Sequence, residues 1–216
     1  MLKTVREKLT DLSMNIICIP RGPFASNMYM VLISDCIFVV DPSVAPDSLE
    51  QEYSSITGIL ITHGHYDHIK YVEEWHEKYP ETPIYMDPDD LELLSDPRAN
   101  CSYMDGMFKT FKIPHENSGE TLVFGDVSVE VLKTPGHTKG SVCYKFSEGE
   151  TDHLFTGDTL FAGSIGRTDF PGGSYDDICV SLKRISELKA ETVIYPGHGP
   201  GSTVGHEQKF NPYLSF

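Results

Sequence analysis

Apolar and polar positions follow two rhythms along the chain. Asn15–Ile19, Met28–Ile33 and Cys36–Val40 are short apolar runs, and Ser34-Asp35 between the last two reads as a hairpin turn. Val127, Val129 and Val131 alternate with Ser128 and Glu130, the period of a strand with one apolar face. Gly125-Asp126 joins that run to Thr121–Phe124 as a tight turn. Val142–Phe146 and His153–Phe155 flank another turn at Glu148-Gly149-Glu150, and residues 59–62 and 192–195 complete the strand-like runs. Helical spacing takes over at Ile69, Val72, Trp75 and Tyr79, which predicts a helix from Ile69 to Tyr79 with those side chains facing the core. Helices are also expected from Pro46, a favoured first-turn residue, over 87–94, and from Tyr175 to Lys189, where Ser174 and Asp177 form a capping-box-like start. A short one within 203–214 closes at Asn211-Pro212. Residues 95–119 are the least regular. Met104, Met107, Phe108 and Phe111 are expected there as ordinary packing residues, ahead of a pocket lining or an oligomer contact.

At 216 residues and 39% hydrophobic, the chain can bury a substantial core as one domain spanning 1–216. No stretch approaches the roughly 20 apolar residues of a membrane helix. The net charge is −15 without a Lys/Arg cluster, which speaks against nucleic acid as a partner and leaves a small molecule as the expected one. Most of the acidic surplus is read as solvated surface. The cysteines at 18, 36, 101, 143 and 179 are odd in number and lack C-x-x-C spacing, so reduced thiols in a cytoplasmic setting are expected. Met1 to Lys8 show no apolar core of a signal peptide.

The chemistry concentrates in His63-Gly64-His65-Tyr66-Asp67-His68, between the strand-like run and the helix. A lone histidine there would be a loop residue, and Asp67 alone would be a helix N-cap. Four such groups in six residues need something positive between them. Three further strand ends carry ligand-type residues among glycines: Thr134-Pro135-Gly136-His137-Thr138, Thr156-Gly157-Asp158-Thr159 and Tyr195-Pro196-Gly197-His198-Gly199-Pro200. Five histidines and two carboxylates suit zinc, iron or manganese better than a thiolate-bound metal. Seven ligands are too many for one tetrahedral ion and about right for two that share a carboxylate and a bridging water or hydroxide.

These motifs, with Gly157-Asp158-Thr159-Leu160-Phe161-Ala162-Gly163-Ser164-Ile165-Gly166-Arg167-Thr168-Asp169-Phe170, Gly205-His206-Glu207 and Asn211-Pro212-Tyr213-Leu214, resemble the metallo-β-lactamase superfamily. The resemblance is greatest to its short glyoxalase II-like hydrolases and runs from about Ile16 to Leu214. It implies an α/β fold, a four-layer αββα sandwich. It also implies one metal on His63, His65 and His137, a second on Asp67, His68 and His198, and Asp158 bridging them. Two divalent ions follow, zinc first, with iron or manganese as alternatives. The implied reaction is attack of a metal-bridged hydroxide, oriented by Asp67, on a small acyl thioester such as S-lactoylglutathione. Persulfide dioxygenases share the Gly-Arg-Thr-Asp-Phe run and use one iron, here on His63, His137 and Asp158; lactonases share the scaffold. Secreted dinuclear β-lactamases generally carry Cys where Asp158 stands, which speaks against them. The chain also departs from the family. Lys70 and Tyr71 replace the usual glycine, and Arg167-Thr168-Asp169 stands where glyoxalase II has Lys-x-Tyr. Gly199-Pro200 stands in place of its tyrosine, and the helical carboxy-terminal extension that helps bind glutathione is missing. Arg167 is either a substrate-carboxylate contact or an internal partner of Asp169.

Overall fold

A computed structural model of the protein describes residues 14–214; Met1 to Lys8, read above for a leader, lie outside them. The first sheet holds β1 (Asn15–Ile19), β2 (Met28–Ile33), β3 (Cys36–Val40), β4 (Gly58–Leu60), β5 (Ile84–Met86) and β6 (Glu116–Asn117), in that order. β1, β2 and β3 pair antiparallel, and β3 to β6 pair parallel. The second sheet holds β7 (Thr121–Phe124), β8 (Val127–Lys133), β9 (Val142–Glu148), β10 (Thr151–Gly157), β13 (Val193–Pro196) and β14 (Ser202–Thr203). Its order is β14-β13-β10-β9-β8-β7, with β10 and β13 parallel. β11 (Leu160–Phe161) and β12 (Ser164–Ile165) form a separate hairpin.

Strand parity builds the layers. Tyr29, Val31, Ile33, Phe38 and Val40 face one way and meet Val129, Val131, Tyr144, Phe146 and Phe155 of the second sheet. Their neighbours Met28, Met30 and Val39 face the other way, onto helices α1 (Tyr66–Ile69), α2 (Val72–Lys78) and α3 (Leu91–Ser95). On the far side, Leu132, Cys143, Leu154 and Ile194 pack on α4 (Tyr175–Ser186) and α5 (Val204–Phe210). Three apolar layers between four layers of structure are the αββα sandwich expected. Among the described residues no helix is long and apolar enough to cross a membrane.

Most predicted elements stand where the pattern put them, and the differences have local causes. The helix read as continuous from Ile69 to Tyr79 is two: α1 begins earlier, at Tyr66, and the chain breaks at Lys70-Tyr71, where the Tyr71 N–H donates to the Pro42 carbonyl (3.1 Å). Ile69, Val72 and Trp75 are buried as expected, while Tyr79 is half-buried with its hydroxyl on the Tyr53 carbonyl. The 59–62 strand ends at Leu60, because the Thr62 N–H turns to Asp41 and the Thr62 carbonyl accepts from Val142. The 87–94 helix is a 3-10 turn, Pro88–Asp90, followed by α3. α4 stops at Ser186 rather than at Lys189.

Candidate metal centre

Parallel pairing makes β3, β4 and β5 end on one edge of the first sheet. In the second sheet β8 and β10 are both antiparallel to β9, and β13 is parallel to β10, so these three also share a direction. The segments leaving those ends carry every candidate ligand. The approach is close enough to require glycine twice. A Cβ on Gly157, which sits at φ +48°, would collide with Thr62 Oγ1, and one on Gly197 would collide with Asp158 and His68.

The seven predicted ligands come together. His63, His65 and His137 offer ligand atoms that all lie within 4.8 Å of one another; so do His63, His68 and Asp158, and so do Asp67, His68 and His198. His63 and His68 each belong to two of these triads, so they form one continuous site. His63, His65, His68 and His137 are buried; His198 is partly exposed and sits 3.1 Å from Asp67 Oδ2. Asp158 reaches from His68 Nε2 (3.3 Å) to His137 Nε2 (3.5 Å) and His198 Nε2 (3.6 Å).

Hydrogen bonds behind the ligands fix which nitrogen faces the centre. His68 Nδ1 lies 2.8 Å from Asp41 Oδ2, and a carboxylate only accepts, so Nδ1 carries a proton and Nε2 is the nitrogen that faces the centre. His137 Nδ1 likewise donates to the Arg167 carbonyl (2.7 Å). The Thr62 hydroxyl donates to Asp41 Oδ2 (2.8 Å) and so accepts from His63 Nδ1 (3.0 Å). Asp41 thus orients His68 directly and His63 through Thr62. Asp90, also buried, ties two ligand loops together: it accepts from Gly64 N–H (2.9 Å), Gly140 N–H (2.6 Å) and the Thr138 hydroxyl (2.7 Å). Neither acid was singled out from the sequence. Asp41 carried one signal, an acid ending an apolar strand, as Asp158 does.

The residues present fit a cation. Nε2 of His63, His65 and His68 and Oδ1 of Asp158 are buried without a hydrogen-bond partner, a costly state for polar atoms that a bound ion would relieve. His65 Nδ1 and His137 Nε2 stand 2.9 Å apart, a separation that needs a shared proton or a shared ion. Burial, then the neighbouring imidazoles, holds His63 well below the usual histidine range; burial and His137 bring His65 down to about 3. Burial also opposes charge on His68, but Asp67, Asp158 and Asp41 outweigh it and push it well above that range. His198 goes up for the same reason, with Asp67 and Asp158 overcoming burial. Burial alone would raise Asp158, yet His68, His137 and His63 hold it well below the carboxylate range. The site therefore stabilises carboxylates and positive charge together, as a cation site does.

Two expectations resolve differently around the mouth. Met104, Met107 and Phe108, expected as ordinary packing, are 47%, 54% and 65% exposed; only Phe111 is buried. Met104 sits in the turn Ser102–Asp105 beside the site and lines its cleft of about 170 Å³ with Phe24, Cys101 and Phe170. Arg167 forms the internal pair: Nε and Nη2 bond Asp169 at 2.8 and 2.7 Å, with the guanidinium 4.2 Å over the Phe170 ring. Lys70 Nζ lies 3.7 Å from Asp105 and 5.5 Å over the Tyr66 and Tyr71 rings. A larger depression of about 420 Å³ beside β1, around Ile17, Met30 and Tyr53, lies away from these residues.

A sequence model of the metallo-beta-lactamase superfamily matches residues 21–198. The chain belongs to that superfamily. Among its relatives, the probable metallo-hydrolase YqgX of Bacillus subtilis is 34% identical over 208 residues, covering 91% of this chain and 95% of its own length. The hydroxyacylglutathione hydrolase GloC of Haemophilus influenzae is 30% identical over 218 residues, covering 94% of this chain and 99% of its own. Of solved structures, the B3 metallo-beta-lactamase BLEG-1 superposes with a TM-score of 0.84 at 33% identity, over 94% of this chain and all of that one. TTHA1623 in a di-iron-bound form gives 0.81 at 33%, over 92% of this chain and all of its own. The superfamily fold is thus shared along nearly the full length, while the metals and substrates named for its members differ.

Proposed function

We propose that the protein is a metal-dependent hydrolase with two divalent ions, acting on a small acyl thioester, the class to which S-lactoylglutathione belongs. The observation that carries this reading is the set of three linked triads, in which Nε2 of His63, His65 and His68 and Oδ1 of Asp158 are buried without a hydrogen-bond partner. His63, His65 and His137 would hold one ion, Asp67, His68 and His198 the other, and Asp158 both. Zinc is the first choice for this nitrogen and oxygen donor set, with iron and manganese as alternatives. A divalent ion bound there lowers the pKa of water from about 16 to about 7 and polarises a carbonyl oxygen.

The chain's own residues supply the rest. Asp67, whose carboxylate is partly open to the cleft, accepts a hydrogen bond from the attacking water and aims it. Asp158, held ionised among the histidines, keeps the two halves of the site in register. Asp41 and the Arg167 carbonyl hold the imidazoles in the ligating tautomer. A thiolate leaving group needs little help from a general acid, which suits a cleft lined chiefly by candidate ligands and apolar side chains.

The test is metal content of protein purified without chelator or added metal, followed by turnover of thioester, lactone, β-lactam and persulfide substrates. About two ions per chain and thioester turnover are expected, and Asp158→Ala should lose both the second ion and the turnover. One iron per chain with oxygen uptake on a persulfide would replace this reading with an oxygenase. Unchanged occupancy and rate in Asp158→Ala would remove Asp158 from its role.

A further inference from the structure

The cleft walls carry information that the ligand set does not. Phe24 and Met104 are large apolar side chains left 50% and 47% exposed, facing the same small space. Both are anchored rather than loosely placed. Phe24 sits at φ +54° in the turn Pro23–Ala25, and the turn is pinned by the Ser26 hydroxyl donating to the Asp67 carbonyl (2.7 Å). The Met104 turn is pinned through Asp105, which accepts from the Tyr66 hydroxyl (3.2 Å) and pairs with Lys70. Both walls are therefore fastened to α1, the helix that carries Asp67 and His68. A side chain held half-exposed beside a reactive centre is available to a ligand.

Charge on the walls points the same way. Among the described residues lining the cleft there is no lysine or arginine. The guanidinium nearest the Phe170 wall, that of Arg167, is engaged by both oxygens of Asp169 and by the ring beneath it. Lys70 is engaged by Asp105. The chain as a whole carries −15. A glutathione thioester brings two carboxylates, and on these walls neither meets an unpaired cation. An uncharged alkyl or short amide arm would instead cover Phe24 and Met104.

We propose that the cleft selects a neutral, apolar acyl thioester over a glutathione thioester, with Phe24 and Met104 as its specificity-determining walls. The inference rests on the hydrolase reading for the reaction but concerns binding, so the two fail separately.

The experiment compares two thioethers that cannot be hydrolysed, S-hexylglutathione and S-hexyl-N-acetylcysteamine, titrated calorimetrically into the metal-loaded chain. The butyryl thioesters of the same two thiols are assayed for kcat/KM. The neutral compound should bind about tenfold tighter, and the kcat/KM ratio should follow. Phe24→Asn keeps the left-handed backbone, which Asn tolerates, and Met104→Gln keeps the length. Each should weaken the neutral thioether by about threefold to tenfold. Asp169→Asn, which frees Arg167, should raise affinity for the glutathione compound by about threefold or more and so narrow the gap. Equal or tighter binding of the glutathione compound overturns the proposal, as do wall variants with unchanged affinity in protein that melts like the parent. A binding preference with no turnover of either thioester overturns the hydrolase reading and leaves the selectivity of the cleft standing.

Discussion

Replacing Asp41 by Asn is expected to weaken metal binding without unfolding the protein. Asp41 is 2% exposed and accepts three hydrogen bonds: from Thr62 N–H at Oδ1, and from the Thr62 hydroxyl and His68 Nδ1 at Oδ2, each 2.8 Å. Its φ of +54° suits Asn as well as Asp, so the backbone is not the issue. Asn must put its amide on one side or the other. With NH₂ toward Thr62 N–H, two donors face each other in a buried place, at about 1–3 kcal/mol. With NH₂ toward Thr62 Oγ1 and His68, every bond is remade only if the relay reverses. His68 Nδ1 must then accept, and the Thr62 hydroxyl must donate to His63 Nδ1, which leaves both rings protonated only at Nε2, the atoms aimed at the centre. The metal-free variant can take that second arrangement at little loss, and metal binding must undo it. The same 1–3 kcal/mol then falls on the metal, a loss of about 10- to 100-fold in affinity. The assay is competitive zinc titration with a chromophoric chelator, beside thermal melts of the metal-free proteins. Thr62→Val cuts only the branch to His63 and should cost less. Wild-type zinc affinity in Asp41→Asn would refute the relay. A large fall in metal-free stability with unchanged zinc affinity would make Asp41 a structural brace instead.

Other consequences can be checked as directly. His68 and His198, pushed above the usual histidine range, carry a second ring proton and a positive charge in the metal-free protein, whereas His63 and His65 stay neutral. Zinc entering beside Asp67 must displace those protons, so calorimetry should show proton release and an affinity that falls as pH drops from 8 to 6; an affinity independent of pH would contradict these charge states. Burial pushes the Cys101 and Cys143 thiols up to about 11 and about 12. At pH 7.5 their thiolate fractions are about 3 in 10,000 and about 3 in 100,000, so iodoacetamide on the native protein should modify buried Cys101 and Cys143 last by mass spectrometry. Glu207 is fully buried and accepts from Gly163 N–H, Asn211 and Ser202, tying α5 to the β11–β12 hairpin. Glu207→Ala should lower unfolding free energy in urea by about 3 kcal/mol, and a change below about 1 would mean the hairpin does not depend on it.

The strands and the ligands were legible for one reason: each leaves a pattern within a few residues. β1, β2, β3 and β7 begin and end where alternation and turn residues put them, and the ligand motifs sit just past strand ends. What the pattern could not carry is anything decided across the chain. β5 is three residues and β11 and β12 are two each, too short for a period to show. The break at Lys70-Tyr71 falls inside an unbroken helical spacing, because the Pro42 carbonyl, brought there by β3, competes for the Tyr71 N–H. Asp41 and Asp90 read as a strand end and a surface acid until parallel pairing and α3 bring them under the histidines. Met104 and Phe111 look alike as letters, and only the anchoring of the 102–105 turn separates a cleft wall from a core residue.

The backbone itself marks the same edge. Six non-glycine residues in the described chain have positive φ, and three of them, Phe24, Asp41 and Cys101, border the metal centre or its mouth. Each such residue costs on the order of 1 kcal/mol or more and persists only where its surroundings over-determine it. Here the surroundings are the ligand loops: Ser26 holds the Phe24 turn to Asp67, Thr62 and His68 hold Asp41, and Asn100 holds Cys101 between the Tyr66 and Ser102 N–H groups. Strain, ligands and cleft walls are therefore one connected structure, and the apolar layers behind it supply the stability that keeps it in place. Exchanging Phe24 or Met104 should consequently shift which ligand is accepted before it shifts whether the metals are held, because the walls join the ligand loops through Ser26 and Asp105, whose bonds such a change leaves intact.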